Sequence, residues 1–183
     1  MTNKIIQVSY PGTGSTVLVN ILHGLISPDK AVTICGNSTR SLADDCQIIK
    51  THIYKHANKN ARDGELGIDK WIKDFKDVHN LYFICSERDG RGNLNKKYHS
   101  YENVLRIPYE MLLETETHKV PDIVSSVSNK MKDFFPWNPN LDVESAIKRI
   151  NRMNKLYEKI KDKPFSYYDK FYHIHGSHRD RSK

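Results

Sequence analysis

The chain contains no run of about 18 apolar residues, so no membrane span is expected. Its cysteines are few and odd in number: Cys35, Cys46 and Cys85, each in or beside an apolar segment. Buried, reduced thiols in a cytosolic protein explain that pattern better than a disulfide framework does. The first apolar strand begins within three residues of Met1, leaving no room for a signal peptide, and a cytoplasmic location is the expectation. Internal repeats and linkers are also missing. The 183 residues therefore read as one domain spanning 1–183, with 172–183 as a basic C-terminal tail. Acidic residues are the scarcer sign: 22 Asp and Glu stand against 29 Lys and Arg, a net charge of +7, which favours a polyanionic partner. Nucleic acid is one such partner and a phosphate-rich small cofactor another. The cations are scattered, thickening only after residue 148, and no nucleic-acid motif accompanies them, so nucleic acid is not the expected partner.

What is present is concentrated near the start. Lys4-Ile5-Ile6-Gln7-Val8-Ser9 reads as an apolar strand, Tyr10-Pro11-Gly12-Thr13-Gly14 as a tight turn, and Ser15-Thr16-Val17-Leu18-Val19-Asn20-Ile21-Leu22 as an apolar helix. Glycines in such a turn allow positive φ and close approach of a ligand. Backbone N–H groups and the positive end of the helix dipole then face a phosphate, with Ser15 and Thr16 adding hydroxyls. The turn is not a standard nucleotide-triphosphate loop, because no lysine follows Gly14. A strand–glycine–helix turn with no binding role is the plain alternative.

Further along, 31–35 reads as a short strand, 36–45 as a polar loop, and 46–52 as a buried strand ending in Lys50-Thr51-His52. The stretch 54–64 reads as a loop. An amphipathic helix is predicted from about Leu66, carrying Trp71, Ile72, Phe75 and Val78. Asn80-Leu81-Tyr82-Phe83-Ile84-Cys85-Ser86 is a continuous apolar strand of the kind found in parallel sheets covered on both faces. A polar loop at 87–100, a strand at 103–107 and a helical turn opened by Pro108-Tyr109-Glu110 follow. Pro121 starts a helix, and Val143, Ile147, Ile150, Met153, Tyr157 and Ile160 stripe another. On that second helix Lys148, Arg149, Arg152 and Lys155 read as a solvated face. Strands alternating with helices predict an α/β domain with a mostly parallel central sheet flanked by helices.

Ligands of such sheets bind beyond the carboxyl ends of the strands. Gly12 to Thr16, Lys50 and His52, and Arg88 all follow strand ends, so three strands deliver phosphate-binding or proton-transfer groups to one edge.

These segments resemble, in order across roughly residues 4 to 135, the sulfotransferases that use 3′-phosphoadenosine 5′-phosphosulfate (PAPS). Tyr10-Pro11-Gly12-Thr13-Gly14-Ser15-Thr16 is similar to that family's 5′-phosphosulfate loop, usually Y-P-K-S-G-T-T. Ile48-Ile49-Lys50-Thr51-His52 is similar to its I-I-K-T-H segment, and Phe83-Ile84-Cys85 with Arg88-Asp89-Gly90-Arg91 to its strand and R-D-P-R-D loop. Val104 to Leu112, with Tyr109-Glu110, is similar to its next strand and Y-E-D-L turn.

The resemblance implies a P-loop-like sulfotransferase architecture and sulfuryl transfer from PAPS to a hydroxyl or amine, leaving 3′,5′-adenosine bisphosphate. It makes His52 the general base and Lys50 the cation on the leaving group. Gly12, Thr13, Gly14, Ser15 and Thr16 would hold the 5′-phosphosulfate, and Arg88 the 3′-phosphate. No metal is implied. Gly12 stands where the family has its loop lysine. Lys96 stands where it has a serine, with Ser100 four residues on. In place of the family's late R-K-G segment, Gly176 and Arg179 are the expected closers over the 3′-phosphate or adenine.

His173, His175 and His178 fit no zinc spacing and read as part of a basic tail. Trp71 and Trp137 are candidates for adenine stacking, though Trp71 lies on a helical stripe and reads as core. Two alternatives stand beside the transferase: a P-loop nucleotide-dependent kinase, and a non-catalytic module binding RNA or another polyanion. The acceptor is expected to be a small molecule or a carbohydrate, and neither its identity nor the oligomeric state is legible.

Overall fold

A computed structural model describes residues 2–9, 12–26, 33–34, 48–52, 79–88, 104–113, 119–160, 163–164, 166–169 and 171–175. The expected loops at 36–45 and 54–64, the helix carrying Trp71, and Cys35, Cys46, Lys96, Ser100, Gly176, His178 and Arg179 lie outside the described residues.

Contacts divide the chain into two compact units: Met1–Ser15 with Asp29–Leu113, and Thr16–Pro28 with Glu114–Lys183. The first carries the sheet. Its strands are β1 (Thr2–Ser9), β2 (Thr33–Ile34), β3 (Ile48–His52), β4 (His79–Glu87) and β5 (Val104–Pro108). They lie in the order β2-β3-β1-β4-β5, and every pairing is parallel. The expected α/β class with a parallel sheet is what the chain forms. Lys4 to Ser9 and Leu81 to Ser86 are buried without alternation, so both faces of β1 and β4 are covered, which is why these strands read as continuous runs. The 103–107 strand runs one residue later than expected and includes Pro108, which an edge strand tolerates because its missing N–H leaves no ladder bond unmade. A short helix, α2 (Tyr109–Leu113), follows directly.

The strand order sets the position of a ligand site. From β1 the chain runs out to β2, on one side of the sheet centre, whereas from β4 it runs on to β5, on the other. The connections diverge between β1 and β4, and the crevice outside their carboxyl ends is the sheet's topological switch point.

The second unit is helical. Its elements are α1 (Ser15–Ile26, entering this unit at Thr16), α3 (Val120–Phe134), α4 (Val143–Ile160) and a hairpin of β6 (Tyr168–Asp169) with β7 (Ile174–His175). Helix α3 begins with Pro121 in its first turn and buries Ile123, Val124, Val127 and Met131, as its periodicity predicts. Helix α4 is capped by Asp142, whose carboxylate accepts from the Ser145 N–H at 2.9 Å and the Ser145 hydroxyl at 2.7 Å. These bonds hold the Asp142 carboxyl below its ordinary pKa.

One face of α4 is turned from the expected stripe. Ala146 and Arg149 are buried while Val143, Ile147 and Tyr157 are only half-buried. Arg149 therefore does not belong to the solvated face with Lys148, Arg152 and Lys155, which are exposed. Its Nε donates to Asn20 Oδ1 at 2.9 Å, its Nη2 donates to the Phe171 carbonyl, and its guanidinium lies 4.3 Å from the Phe171 ring centroid. Burial pulls this guanidinium down to about 10, where it is still charged at neutral pH. Asn20 completes the cluster by donating to the Thr16 and Tyr172 carbonyls, each at 2.8 Å. These bonds tie Phe171 and Tyr172, in the hairpin of β6 and β7, to α1 and α4, and His173 and Ile174 are buried.

Among the described residues no helix is long and apolar enough to cross a membrane.

Candidate active site

The loop after β1 is built as the glycine spacing predicts. Gly12 has φ 84° and Gly14 φ 76°, both in the left-handed region, and α1 starts at Ser15. Positive φ at both glycines beside a helix N-terminus makes this turn a candidate anion nest, one in which backbone N–H groups can face a single side. The φ of Gly12 calls for glycine, because a side chain there would hold the backbone in a region that L residues rarely adopt. Gly14 is constrained twice. Besides its φ, a Cβ there would lie 3.1 Å from Leu112 Cδ1 and 3.1 Å from Tyr109 Cδ2.

Tyr109, the first residue of α2, lies beside the loop. Its ring occupies the space that a Cβ on Gly14 would need, and the Arg88 guanidinium lies 4.7 Å from its centroid. One aromatic ring thus neighbours both the loop at Gly14 and Arg88, which follows β4 directly.

The wall under the nest is polar and buried. In register, Gln7 lies beside Lys50 and Ile84, and Ser9 beside His52. Neighbours across a parallel sheet share a face, so Gln7, Ser9, Lys50 and the His52 position fall on one face at its carboxyl end. Lys50 is 2% exposed. Within this face Gln7 Nε2 donates to Ser9 Oγ at 2.6 Å, and Ser86 gives Ser9 Oγ two bonds, from its N–H at 3.1 Å and its hydroxyl at 2.9 Å. Thr13 Oγ1 lies 3.1 Å from Ser86 Oγ. Either hydroxyl can be the donor in that last bond. The Thr13 side chain is thus turned into the fold, and what Thr13 offers an anion is its backbone N–H. Ser15 and Thr16 are buried as well.

The opposite face of β4 is electrically separate. Glu87 pairs with Arg106 Nε at 3.2 Å, and Cys85 Sγ lies 3.8 Å from the same carboxylate. Burial, then the Glu87 charge, pushes the Cys85 thiol far up, so it stays protonated and inert. Glu87 is therefore directed away from the nest. Among the described residues no group of three or more His, Cys, Asp or Glu could hold a metal ion.

Gly12, Thr13, Gly14, Ser15, Lys50, the His52 position and Arg88 all belong to the first unit and fall at the carboxyl ends of β1, β3 and β4. Trp137 stacks on Phe135 at 4.2 Å, a packing contact in the second unit. His173 lies within 3.3 Å of the Tyr168 hydroxyl through Nδ1.

No protein-family model matches the chain, and no curated protein matches it in sequence. Among solved structures it is similar to mouse sulfotransferase SULT7A1 complexed with PAP, at 14% identity and a TM-score of 0.47, over 89% of this chain and 67% of that one.

Proposed function

We propose that the protein is a PAPS-dependent sulfotransferase. The observation that carries this reading is the meeting, at one sheet edge, of a lysine-free anion nest, the Lys50 and His52 strand end, and Arg88. A phosphosulfate with a second phosphate needs two cationic subsites, and the nest and Arg88 are two such groups. In this scheme the loop N–H groups and Lys50 stabilise charge developing on the leaving phosphate. His52, at a strand end beside Ser9, removes the proton of the acceptor hydroxyl or amine, since an imidazole titrates near neutrality. Arg88 grips the 3′-phosphate with a guanidinium fork. The resemblance assigns Lys96 or Ser100 to that phosphate as well, and a small-molecule or carbohydrate alcohol or amine is the acceptor.

Two features favour this over a magnesium-dependent kinase. The β4 residue bonded to the nest is Ser86, a neutral hydroxyl, and the neighbouring carboxylate of Glu87 is bonded to Arg106 on the other face. Thermal-shift measurements against 3′,5′-adenosine bisphosphate, ATP–Mg and a single-stranded oligonucleotide test the reading. A ligand at a hundredfold excess over its Kd stabilises the fold by about 2.7 kcal/mol. The bisphosphate is expected to raise Tm most. Stabilisation by ATP–Mg but not by the bisphosphate supports the kinase, and stabilisation by the oligonucleotide alone supports a polyanion-binding module.

A further inference from the structure

We propose that Ser86 is a positioning residue: it holds the 12–15 nest in its anion-binding form and keeps that site independent of a divalent cation. The proposal rests on the sulfotransferase reading for the identity of its ligand, not for its structural content. Four groups make one continuous buried chain: Gln7 Nε2, Ser9 Oγ, Ser86 Oγ and Thr13 Oγ1, with separations of 2.6, 2.9 and 3.1 Å. The chain is anchored twice on β1 and once on β4, both interior strands of the sheet, and Thr13, the residue between the two glycines, is its fourth member. Thr13 is fully buried between Gly12 and Gly14, the two residues with the most backbone freedom. Two glycines flanking one residue leave the loop many conformations. The bond between the Thr13 and Ser86 hydroxyls removes most of them and directs the loop N–H groups outward. Preorganisation of this kind lowers the ordering cost of binding.

The same position governs charge. Gln7, Ser9, Ser86 and Thr13 are all neutral. A carboxylate at Ser86 would stand about one hydrogen bond from the nest, where like-charge repulsion opposes an anion unless a cation intervenes. The hydroxyl permits direct binding of the anion by N–H groups.

A double-mutant cycle tests the bond. Ser86→Ala, Thr13→Val and the double variant are titrated with 3′,5′-adenosine bisphosphate, with and without magnesium, and amide exchange is followed at residues 13–16 and in β1. Each single change is expected to weaken binding about tenfold, or about 1.4 kcal/mol. The double variant should lose little more than either alone, because both remove one bond. Amides of the nest should exchange faster while those of β1 keep their protection. Fully additive losses, or affinities within about twofold of the parent, overturn the positioning role. Ser86→Asp should bind roughly a hundredfold more weakly without magnesium and regain part of that with it. Parent-like, magnesium-insensitive binding by Ser86→Asp overturns the charge argument. If the parent protein does not bind the bisphosphate, the sulfotransferase reading fails. Exchange at residues 13–16 then decides the positioning role, since unchanged exchange in Ser86→Ala and Thr13→Val refutes it and faster exchange upholds it.

Discussion

Gly24 lies in the interior of α1, where helix propensity alone says that alanine should stabilise the protein by about 1 kcal/mol. The packing says the reverse. A Cβ built on Gly24 would lie 2.4 Å from Ala146 Cα and 2.9 Å from both the Cβ and the backbone N of Ala146. Both helices belong to the second unit, and they meet again where Asp142 N–H donates to the Leu25 carbonyl at 2.8 Å. The obstacle is backbone, so no rotamer change can relieve it, and α1 and α4 must move apart. Overpacking of this kind costs about 1–3 kcal/mol, and backbone contact places Gly24→Ala at the upper end, about 2 kcal/mol net of the propensity gain. For a chain of this size that is a fall in Tm of about 4–8 °C. Melting followed by circular dichroism at 222 nm reads it directly. Adding Ala146→Gly should restore little, because the 2.4 Å contact is to Cα and survives the loss of the methyl. A Tm above that of the parent, or full rescue by Ala146→Gly, would refute the close approach of these helices.

Three further outcomes follow from the geometry. Gly14→Ala forces a Cβ against Tyr109 and Leu112 at positive φ, at a cost of about 1–3 kcal/mol that falls on the nest; bisphosphate affinity in a calorimetric titration should drop more than tenfold while the chain remains folded. Arg149→Met leaves Asn20 Oδ1 and the Phe171 carbonyl without their buried donor, so stability should fall by about 2–4 kcal/mol in urea titration, and proteolysis should begin near 168–175. The Asp142 carboxyl is held below its ordinary value by Ser145, so its cap is complete at neutral pH. The stabilisation it gives is lost as pH falls below about 4, through the lowered folded value. In Asp142→Asn that part of the acid dependence should vanish, which a series of melts between pH 2 and pH 6 (roughly the window of a carboxylate) would detect.

What the sequence made legible has a physical pattern. The glycine turn was readable because φ above zero calls for glycine, and Gly12 and Gly14 flank one residue at a strand–helix junction. The ends of β1, β3 and β4 were readable because parallel strands covered on both faces are unbroken apolar runs, so the first polar residues mark their carboxyl ends. Arg149 was not readable. It stands in a run of charges on an amphipathic helix, and its burial depends on Asn20 and on carbonyls of a distant hairpin, which no local period reports. Ser9 and Ser86 were equally silent, since a small hydroxyl at a strand end looks like any solvated residue until its partner across the sheet is known. Tyr109 looked like a strand-to-helix joint, and its place beside Gly14 and Arg88 arises only when β5 pairs with β4 and brings α2 against the loop.

The central claim is that one edge of the sheet holds two phosphates, one in the nest and one on Arg88. The most direct measurement is a calorimetric comparison of 3′,5′-adenosine bisphosphate with adenosine 5′-monophosphate, without magnesium, on the parent protein and on Arg88→Ala. The parent should bind the bisphosphate at least tenfold more tightly, the worth of one charge-assisted contact of about 1.4 kcal/mol or more, and Arg88→Ala should lose that preference while still binding the monophosphate. Equal affinity of the parent for the two nucleotides, or a bisphosphate preference that survives in Arg88→Ala, would contradict it.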